Sequence, residues 1–224
     1  MVRTKNTAIF IARSGSERIK NKNIKQFYGK PIIYWTYKII KKSKIFQNIV
    51  LSSDSEKILK VGKEIGFDFL IKRPKKISDK YSNTEQVISH AIKNLSKSMK
   101  IENICCVYPC SVFIKLSSLK KAFTILKKNP NSLVFPIIEH SHPIERSLKL
   151  SKNNKIDFYS KKLFYKRTQD LEPKYFDAGQ FYLAKNKTWL KKDKSRFGIK
   201  ILKNTSIDID TVADWNQAKL MFRS

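Results

Sequence analysis

A short basic loop near the start of the chain holds the first residues that could do chemistry. It runs from Arg13 to Asn23, reads RSGSERIKNKN and directly follows an apolar run. In α/β folds ligands bind beyond the carboxyl ends of strands. A glycine, hydroxyls and basic side chains at that place suit a polyphosphate. These groups belong to Gly15, Ser14, Ser16, Arg13, Arg18 and Lys22. The loop lacks both GxxxxGKS/T and GxGxxG, and a plain surface loop is the alternative.

Two aspartates near the end of the chain form a second candidate site. Asp208 and Asp210 flank Ile209, and residues two apart on a strand project to the same side. Both carboxylates can then meet one hard cation, and Mg²⁺ takes one or two carboxylates together with phosphate oxygens and water. The pair therefore predicts a Mg²⁺ cofactor that offsets the charge of a triphosphate. The alternative is a helix cap, because Asp210 or Thr211 precedes a helical segment.

A third cluster mixes an arginine, amides, carboxylates and aromatic rings around a glycine. Arginine can form a bidentate pair with a carboxylate, and amides and carboxylates can hydrogen-bond to hydroxyls. The cluster therefore suits an acidic, hydroxyl-rich sugar. A turn that enters an aromatic core strand would have the same composition. The candidate sugar-binding residues are Arg167, Gln169, Asp170, Asp177, Gln180 and Tyr182.

The elements that must position these residues follow an alternating pattern. Short β-branched runs recur between segments of helical period, which is typical of βα units around a mainly parallel sheet. We therefore expect an α/β fold in a single domain over residues 1–224, with a looser inserted flap at about 139–177. Predicted strands cover residues 7–12, 48–52, 67–71, 104–108, 132–138, 179–184 and 198–202, and flap residues 147–150 and 155–158. Predicted helices cover residues 55–65, 84–95, 116–128 and 212–222, with one starting at Pro31 and a short one near Trp189.

The formal net charge of +29 suggests a nucleic-acid partner, because clustered Lys and Arg neutralise phosphates. The basic residues are spread along the whole chain, however, with no basic arm, zinc-finger spacing or RNA-binding aromatic signature. A solvated basic surface has this composition, and a positive field would equally attract a triphosphate and an acidic sugar. We expect no specific nucleic-acid partner, and a non-enzymatic nucleic-acid binder is the alternative class.

The sequence also predicts a compartment. No run approaches the roughly 18 apolar residues of a membrane span, and the start of the chain turns charged before a signal-peptide apolar region develops. We therefore expect a cytoplasmic protein with no membrane partner. The spacing of the three cysteines, Cys105, Cys106 and Cys110, matches neither a zinc-binding motif nor a redox-active cysteine pair. This predicts reduced, buried thiols.

The opening segment AIFIARSGSERIKNKNIKQFYGKPII resembles the nucleotide-binding motif of the acylneuraminate cytidylyltransferase family. That motif reads A-R-G-G-S-K, then K-N-I and G-K-P. The resemblance implies contacts to CTP from Arg13, Ser14, Gly15, Ser16, Lys22 and Asn23. Two residues depart from the motif, since Ser14 stands where Gly is usual and Glu17 where Lys is usual. The second departure changes the local charge by two units, and Arg18 can offset it.

Three further segments carry the resemblance. KRPKKISD is similar to the family's R-P-x-x-L-x-x-D segment and implicates Arg73 in nucleotide binding. IDIDTVADW matches the family's D-I-D ending, so Asp208 and Asp210 would hold the metal and join Arg13 and Lys22 as catalytic residues. After the fourth strand the chain has VYPCSVF where sialic acid synthetases usually carry L-Q-P-T-S-P, which puts Tyr108 in the sugar pocket.

The segments RTQDL, YFDAGQFY and HPIERS look most like the pseudaminic acid members of the family. The resemblance implies a Rossmann-like fold of the nucleotide-diphospho-sugar transferase type. It also implies CMP transfer from CTP to the anomeric hydroxyl of pseudaminic acid, with release of pyrophosphate. The product would be a CMP-activated sugar for surface glycan or flagellin glycosylation. Sialic, legionaminic and 3-deoxy-manno-octulosonic acids are the alternative substrates. A homodimer is implied too, with the flap reaching toward the partner subunit.

Overall fold

The structure, a computed structural model, describes residues 6–223. The charged start and the expected domain over 1–224 include residues 1–5 and 224, which lie outside the described part. Between residues 6 and 223, no helix is long and apolar enough to cross a membrane.

Strands and helices alternate along the described residues. The strands are β1 (Asn6–Ala12), β2 (Gln26–Phe27), β3 (Lys30–Pro31), β4 (Asn48–Ser53), β5 (Phe69–Lys72), β6 (Asn103–Val107), β7 (Ser132–Glu139), β8 (Leu148–Leu150), β9 (Ile156–Phe158), β10 (Tyr175–Asp177), β11 (Phe181–Lys185) and β12 (Ser195–Lys200). The helices are α1 (Ile32–Lys42), α2 (Glu56–Ile65), α3 (Thr84–Leu95), α4 (Leu116–Lys128), α5 (Lys161–Phe164), α6 (Asn186–Trp189) and α7 (Val212–Arg223).

A mixed, mainly parallel sheet of eight strands forms the centre of the fold, in the order β10-β7-β11-β6-β1-β4-β5, with β12 pairing on β7. Strands β6, β1, β4 and β5 are parallel neighbours. Strands β10 and β11 run against β7. Because β6, β1, β4 and β5 all end at one edge of the sheet, the residues that follow them meet there. Those residues are Tyr108, Arg13, Asp54 and Arg73.

Helices cover both faces of the sheet, because alternate side chains of a strand point to opposite faces. Phe10 packs in the cluster that α1, α2 and α4 bury on one face. Its neighbour Ile9 packs on the other face, in the cluster formed with α3 and Trp189. A third cluster joins α7 to the start of α1 through Trp215 and Ile32. The expected α/β architecture is thus confirmed.

Two of the central helices begin and end where the sequence predicts. Helix α2 begins after Ser55, whose side chain accepts a hydrogen bond from the Ile58 amide, and it ends at Gly66 with a left-handed φ of 98°. Helix α3 has a reciprocal capping box between Asn83 and Gln86. These local signals fix the positions of the loops that border the site.

The structure differs from the expected elements mainly at the ends of strands and in the shortest strands. Strand β12 begins three residues and ends two residues earlier than predicted, because it pairs in parallel with β7 starting from Ser195 opposite Ser132. The strands predicted at 67–71 and 179–184 both begin two residues later, as β5 and β11. The hairpin of β2 with β3 and the three-residue strand β10 were not expected, since two or three residues carry no readable alternation. In the predicted flap, β8 and β9 pair as expected, although each begins one residue later than predicted.

A bulge separates β10 from β11 on the side of β7. Asp177 and Leu183 are six positions apart in sequence, but their partners Ile137 and Val134 are only three positions apart, so three extra residues lie between these two pairs. The Ala178 amide still donates to the Pro136 carbonyl oxygen, and Gly179, next to it, adopts a φ of 60° that favours glycine. The bulge lies beside the end of β6, since the Tyr108 amide donates to the carbonyl oxygen of Gln180.

Candidate active site

A cleft of about 310 Å³ opens at the edge where β6, β1, β4 and β5 end. Its wall combines basic and acidic side chains with hydroxyls, which suits a polyanion accompanied by a cation. Nine of the predicted residues line it: Arg13, Ser16, Arg18, Lys22, Asn23, Arg73, Tyr108, Asp208 and Asp210. The other charged residues in its lining are Glu17 and Asp79.

The predicted phosphate loop is held from within by Asn23. This side chain is buried, and its Nδ2 donates to the carbonyl oxygen of Arg13 over 2.9 Å. Asn21 adopts a left-handed φ of 54°, which asparagine tolerates, and so starts the short 3₁₀ turn at Lys22–Ile24. The Arg13 side chain makes no hydrogen bond or ion pair within residues 6–223, so its guanidinium remains available to a phosphate.

Ser14 and Gly15 lie outside the cleft wall. The Ser14 amide and hydroxyl donate to the two oxygens of Asp54, over 2.9 and 2.5 Å. A Cβ placed on Gly15 would meet nothing within 4 Å, and Gly15 is not in the left-handed region, so the free chain does not itself require glycine there. Close approach of a ligand is the remaining reason for a glycine at this position.

Arg73 is a buried cation at the end of β5. Its side chain is 3% exposed, its Nε donates to the Ser78 hydroxyl over 2.9 Å, and a guanidinium nitrogen lies 3.9 Å from Asp54. Burial lowers the pKa of Arg73, and the charge of Asp54 partly offsets that effect. Asp54 therefore links the phosphate loop to Arg73.

The two predicted metal ligands also line the cleft, where Asp210 contacts Arg18 and Lys22 of the phosphate loop. The segment that carries them is not a strand, but it keeps the predicted alternation, because Ile209 is buried while Asp208 and Asp210 are not. The pKa of Asp208 is raised, first by partial loss of water around its carboxylate and then by the charge of Asp210. Partial burial alone would raise the pKa of Asp210 too, but Lys22 and Arg18 outweigh it and lower that pKa.

This pair fits a divalent cation. Within residues 6–223 no group donates a hydrogen bond to the Asp208 carboxylate, and the nearby charge of Asp210 adds to the cost of ionising it. A hard cation between them would remove that cost. No cluster of three or more His, Cys, Asp or Glu that could hold a metal occurs in the described chain. The remaining ligands of a Mg²⁺ ion here would therefore come from phosphate oxygens and water.

Helix capping is performed by other residues than Asp210. The Asp214 carboxylate accepts from the Thr211 amide and hydroxyl, and the Thr211 hydroxyl accepts from the Asp214 amide. This reciprocal arrangement starts α7. The side chain of Asp210 takes no part in it, which separates the two interpretations left open by the sequence.

Tyr108 is the one predicted sugar-binding residue that lines the cleft in the described structure. Its hydroxyl lies 3.1 Å from the Thr84 hydroxyl, and burial raises its pKa. Behind it, Tyr182 donates to Asp177 Oδ2 over 2.7 Å, and Asp177 Oδ1 accepts from the Gly179 amide. Gln180 is buried and donates to the Thr205 carbonyl oxygen. Asp177, Tyr182 and Gln180 thus shape the bulge beside the cleft instead of lining it.

The remaining predicted sugar-binding residues lie on the flap. Arg167 pairs with Asp170 over 3.0 Å, and their side chains are 74% and 45% exposed. Neither they nor Gln169 line the cleft of this chain. The structure therefore does not bring the arginine cluster together with the phosphate loop in one subunit.

Several residues of the site were missed from sequence. Ser78, Asp79, Ser82, Thr84, Cys110 and Ser111 all line the cleft. Asp54 supports it from behind and had a readable signal, since it directly follows a predicted strand. The loop after Arg73 had a partial signal, because Ser78 and Asp79 end the segment KRPKKISD, but that segment was used to implicate Arg73 alone.

The chain is similar in sequence to known proteins over nearly its whole length. A family model described as "Cytidylyltransferase" matches residues 7–222. The chain is 35% identical to a pseudaminic acid cytidylyltransferase of Campylobacter jejuni, over 98% of this chain and 97% of that protein. It is 29% identical to a CMP-N,N'-diacetyllegionaminic acid synthase of Legionella pneumophila, over 93% and 92% of the two chains.

Solved structures agree on the fold. A CMP:2-keto-3-deoxy-manno-octonic acid synthetase complexed with CTP superposes with a TM-score of 0.75 at 11% identity, over 98% of this chain and 99% of that chain. The Rossmann-like fold and the resemblance found in the opening motif are therefore both confirmed. From the match over nearly its whole length, the chain belongs to the cytidylyltransferase family.

Proposed function

We propose that this chain transfers CMP from CTP to the anomeric hydroxyl of pseudaminic acid. The observation that carries the proposal is the meeting of two opposite groups in one cleft. Arg13, Lys22 and the buried Arg73 can receive a polyphosphate, and Asp208 and Asp210 line the same cleft as a carboxylate pair. The similarity to pseudaminic acid cytidylyltransferases supports the choice of sugar.

In the proposed reaction the anomeric oxygen attacks the α-phosphorus of CTP in line. A new P–O bond joins the sugar to CMP, the bond to the β-phosphate oxygen breaks, pyrophosphate leaves, and the hydroxyl proton passes to solvent. Such displacements depend chiefly on positioning and charge neutralisation. Arg13 and Lys22 would balance the growing charge, and Arg73, with Ser14, Gly15, Ser16 and Asn23, would fix the nucleotide.

We propose that Asp208 and Asp210 hold Mg²⁺. When bound, the ion supplies Lewis-acid charge to the phosphates and lowers the pKa of an oxygen bound to it. Lys22 is placed to keep Asp210 oriented, because its Nζ donates to Asp210 Oδ1 over 3.1 Å and to the Ile209 carbonyl oxygen over 2.6 Å.

The sugar site and the flap are linked in this proposal through a homodimer. Tyr108 would contact the sugar from within the cleft. Arg167, Gln169 and Asp170 are exposed and outside the cleft of their own chain, so they would meet a sugar from the flap of a second subunit. Asp177, Gln180 and Tyr182 would support that pocket through the bulge. The exposed apolar side chains of the flap hairpin fit such an interface. We place the reaction in the cytoplasm, where CTP is available.

The direct test is to identify the product. The protein is incubated with CTP, Mg²⁺ and pseudaminic acid, and ³¹P NMR follows loss of the triphosphate signals. The proposal expects a phosphodiester signal from the CMP-sugar together with pyrophosphate in equal amount. Formation of CDP or free phosphate instead would overturn CMP transfer. The Asp210→Ala variant serves as the matched control and should leave CTP intact.

A further inference from the structure

Arg18 of the phosphate loop is hydrogen-bonded to Asp210, a proposed metal ligand. A guanidinium nitrogen of Arg18 lies 2.5 Å from Asp210 Oδ2, while Lys22 Nζ lies 3.1 Å from Asp210 Oδ1. Each oxygen of Asp210 therefore has its own cationic partner. The neighbouring Asp208 carboxylate has no hydrogen-bond donor in the described chain.

A divalent cation at Asp210 would share its two oxygens with these partners. Each oxygen keeps a second lone pair for a metal, but the ion would be repelled by two unit charges only a few ångströms away. Moving one of the two cations away would remove much of that repulsion. Arg18 is 62% exposed and makes no other hydrogen bond within residues 6–223. Lys22 is 22% exposed and also donates to the Ile209 carbonyl oxygen, so Arg18 is the cheaper to release.

We propose that Arg18 is a positioning residue that holds Asp210 in the free protein and exchanges it for a phosphate when CTP and the metal arrive. The proposal rests on the proposed function, in which Asp208 and Asp210 hold the metal. Arg18 lines the same cleft as Arg13 and Lys22, so a bound triphosphate offers its guanidinium another anion within reach. The phosphates of CTP would draw Arg18 away from Asp210, and the metal would release Arg18 for the phosphates. Each ligand would thus favour binding of the other, so that their binding is cooperative.

The acidic neighbour of Arg18 in the loop, Glu17, does not take part in the exchange. Glu17, which lines the cleft beside Arg18, makes no hydrogen bond or ion pair within the described residues. Glu17 therefore does not compete with Asp210 for Arg18, which is bound to Asp210 until a phosphate replaces that carboxylate.

The test measures metal and nucleotide binding separately, without turnover. Binding of Mn²⁺ alone is followed by EPR of the free ion, and binding of CTP alone is followed by calorimetry in EDTA. The variants are Arg18→Gln, Asp210→Asn and, as a matched control, Lys20→Gln. Lys20 is exposed in the same loop and lies outside the cleft wall, so its loss changes the net charge equally without touching Asp210.

We expect Arg18→Gln to bind Mn²⁺ about two- to fivefold more tightly than the wild type, the range of an exposed ion pair. The same variant should bind metal-free CTP more weakly, by about three- to tenfold. Lys20→Gln should match the wild type in both. If Arg18→Gln behaves like Lys20→Gln, the exchange is overturned while the metal site stands. If Asp210→Asn binds Mn²⁺ as the wild type does, the metal site itself is overturned.

Discussion

The hydroxyl and the backbone amide of Ser14 both donate to the carboxylate of Asp54, forty residues further along the chain. Ser14 is one of the two departures from the family motif, and this contact explains it, because a glycine could supply only the amide. Asp54 also lies 3.9 Å from the buried Arg73. One carboxylate at the end of β4 therefore orders both the phosphate loop and the cation beyond β5.

Removing this carboxylate should weaken nucleotide binding. We expect Asp54→Ala to raise the KM for CTP by about tenfold, the loss of affinity expected when one or two charge-assisted hydrogen bonds are removed. The KM for the sugar should change little. Ser14→Ala should cost less, because its amide still donates, and the double variant should be less than additive. Steady-state kinetics with each substrate varied gives these values. Glu56→Gln, two residues on in an exposed pair with Lys72, is the control and should match the wild type.

Asp210 and Asp214 are four residues apart, but replacing the first should affect turnover and replacing the second should affect stability. Asp210→Ala should lower kcat by more than about a hundredfold and leave the free energy of unfolding nearly unchanged, because Asp210 caps no helix. Asp214→Ala removes the acceptor for the Thr211 amide and should lower the free energy of unfolding by about 1 kcal/mol. Urea unfolding and turnover of both variants test this. An active Asp210→Ala variant would contradict the metal assignment.

Cys110 should be unreactive although it lines the cleft. Burial raises the pKa of its thiol to about 12, an effect that the charge of Lys22 reduces only in part. At pH 8 only about one thiol in ten thousand is then ionised, and the thiolate is the nucleophile. Burial raises the pKa of Cys105 and Cys106 as well. We expect no modification by iodoacetamide at pH 8 in the native protein and three modified cysteines in 8 M urea. Rapid labelling of native Cys110, read by mass spectrometry, would contradict this.

The flap hairpin should hold two subunits together. Leu150 and Ile156 are directly opposite each other on β8 and β9, and they are 69% and 56% exposed. Light scattering should give twice the 26.2 kDa chain mass for the wild type and a single chain mass for Leu150→Glu. Leu220→Glu replaces an equally exposed leucine on α7 and should remain dimeric. A wild type with the mass of one chain would exclude the dimer.

Much of the fold was readable from the sequence, because its central strands are long and buried. The expected strand at residues 7–12 and the observed β1 differ by one residue, and the caps of α2 and α3 are those of the local pattern. The pairing of Asp208 with Asp210 was also readable, since alternation places them together without a strand.

The contacts between distant segments were not readable. The bonds from Ser14 to Asp54 and from Arg18 to Asp210 join segments separated by 40 and 192 residues. No local pattern encodes such pairs, because they depend on the order of strands in the sheet. Gln180 shows the converse, since a polar residue in a promising motif is buried and bonded to the Thr205 carbonyl oxygen.

The central claim is that the chain transfers CMP from CTP to pseudaminic acid in preference to related acidic sugars. Pyrophosphate release should be measured with CTP and Mg²⁺ while pseudaminic, legionaminic, sialic and 3-deoxy-manno-octulosonic acids are offered in parallel. We expect the highest kcat/KM with pseudaminic acid, by at least about tenfold over the other three. Release with none of the four, or a preference for one of the other three, would contradict it.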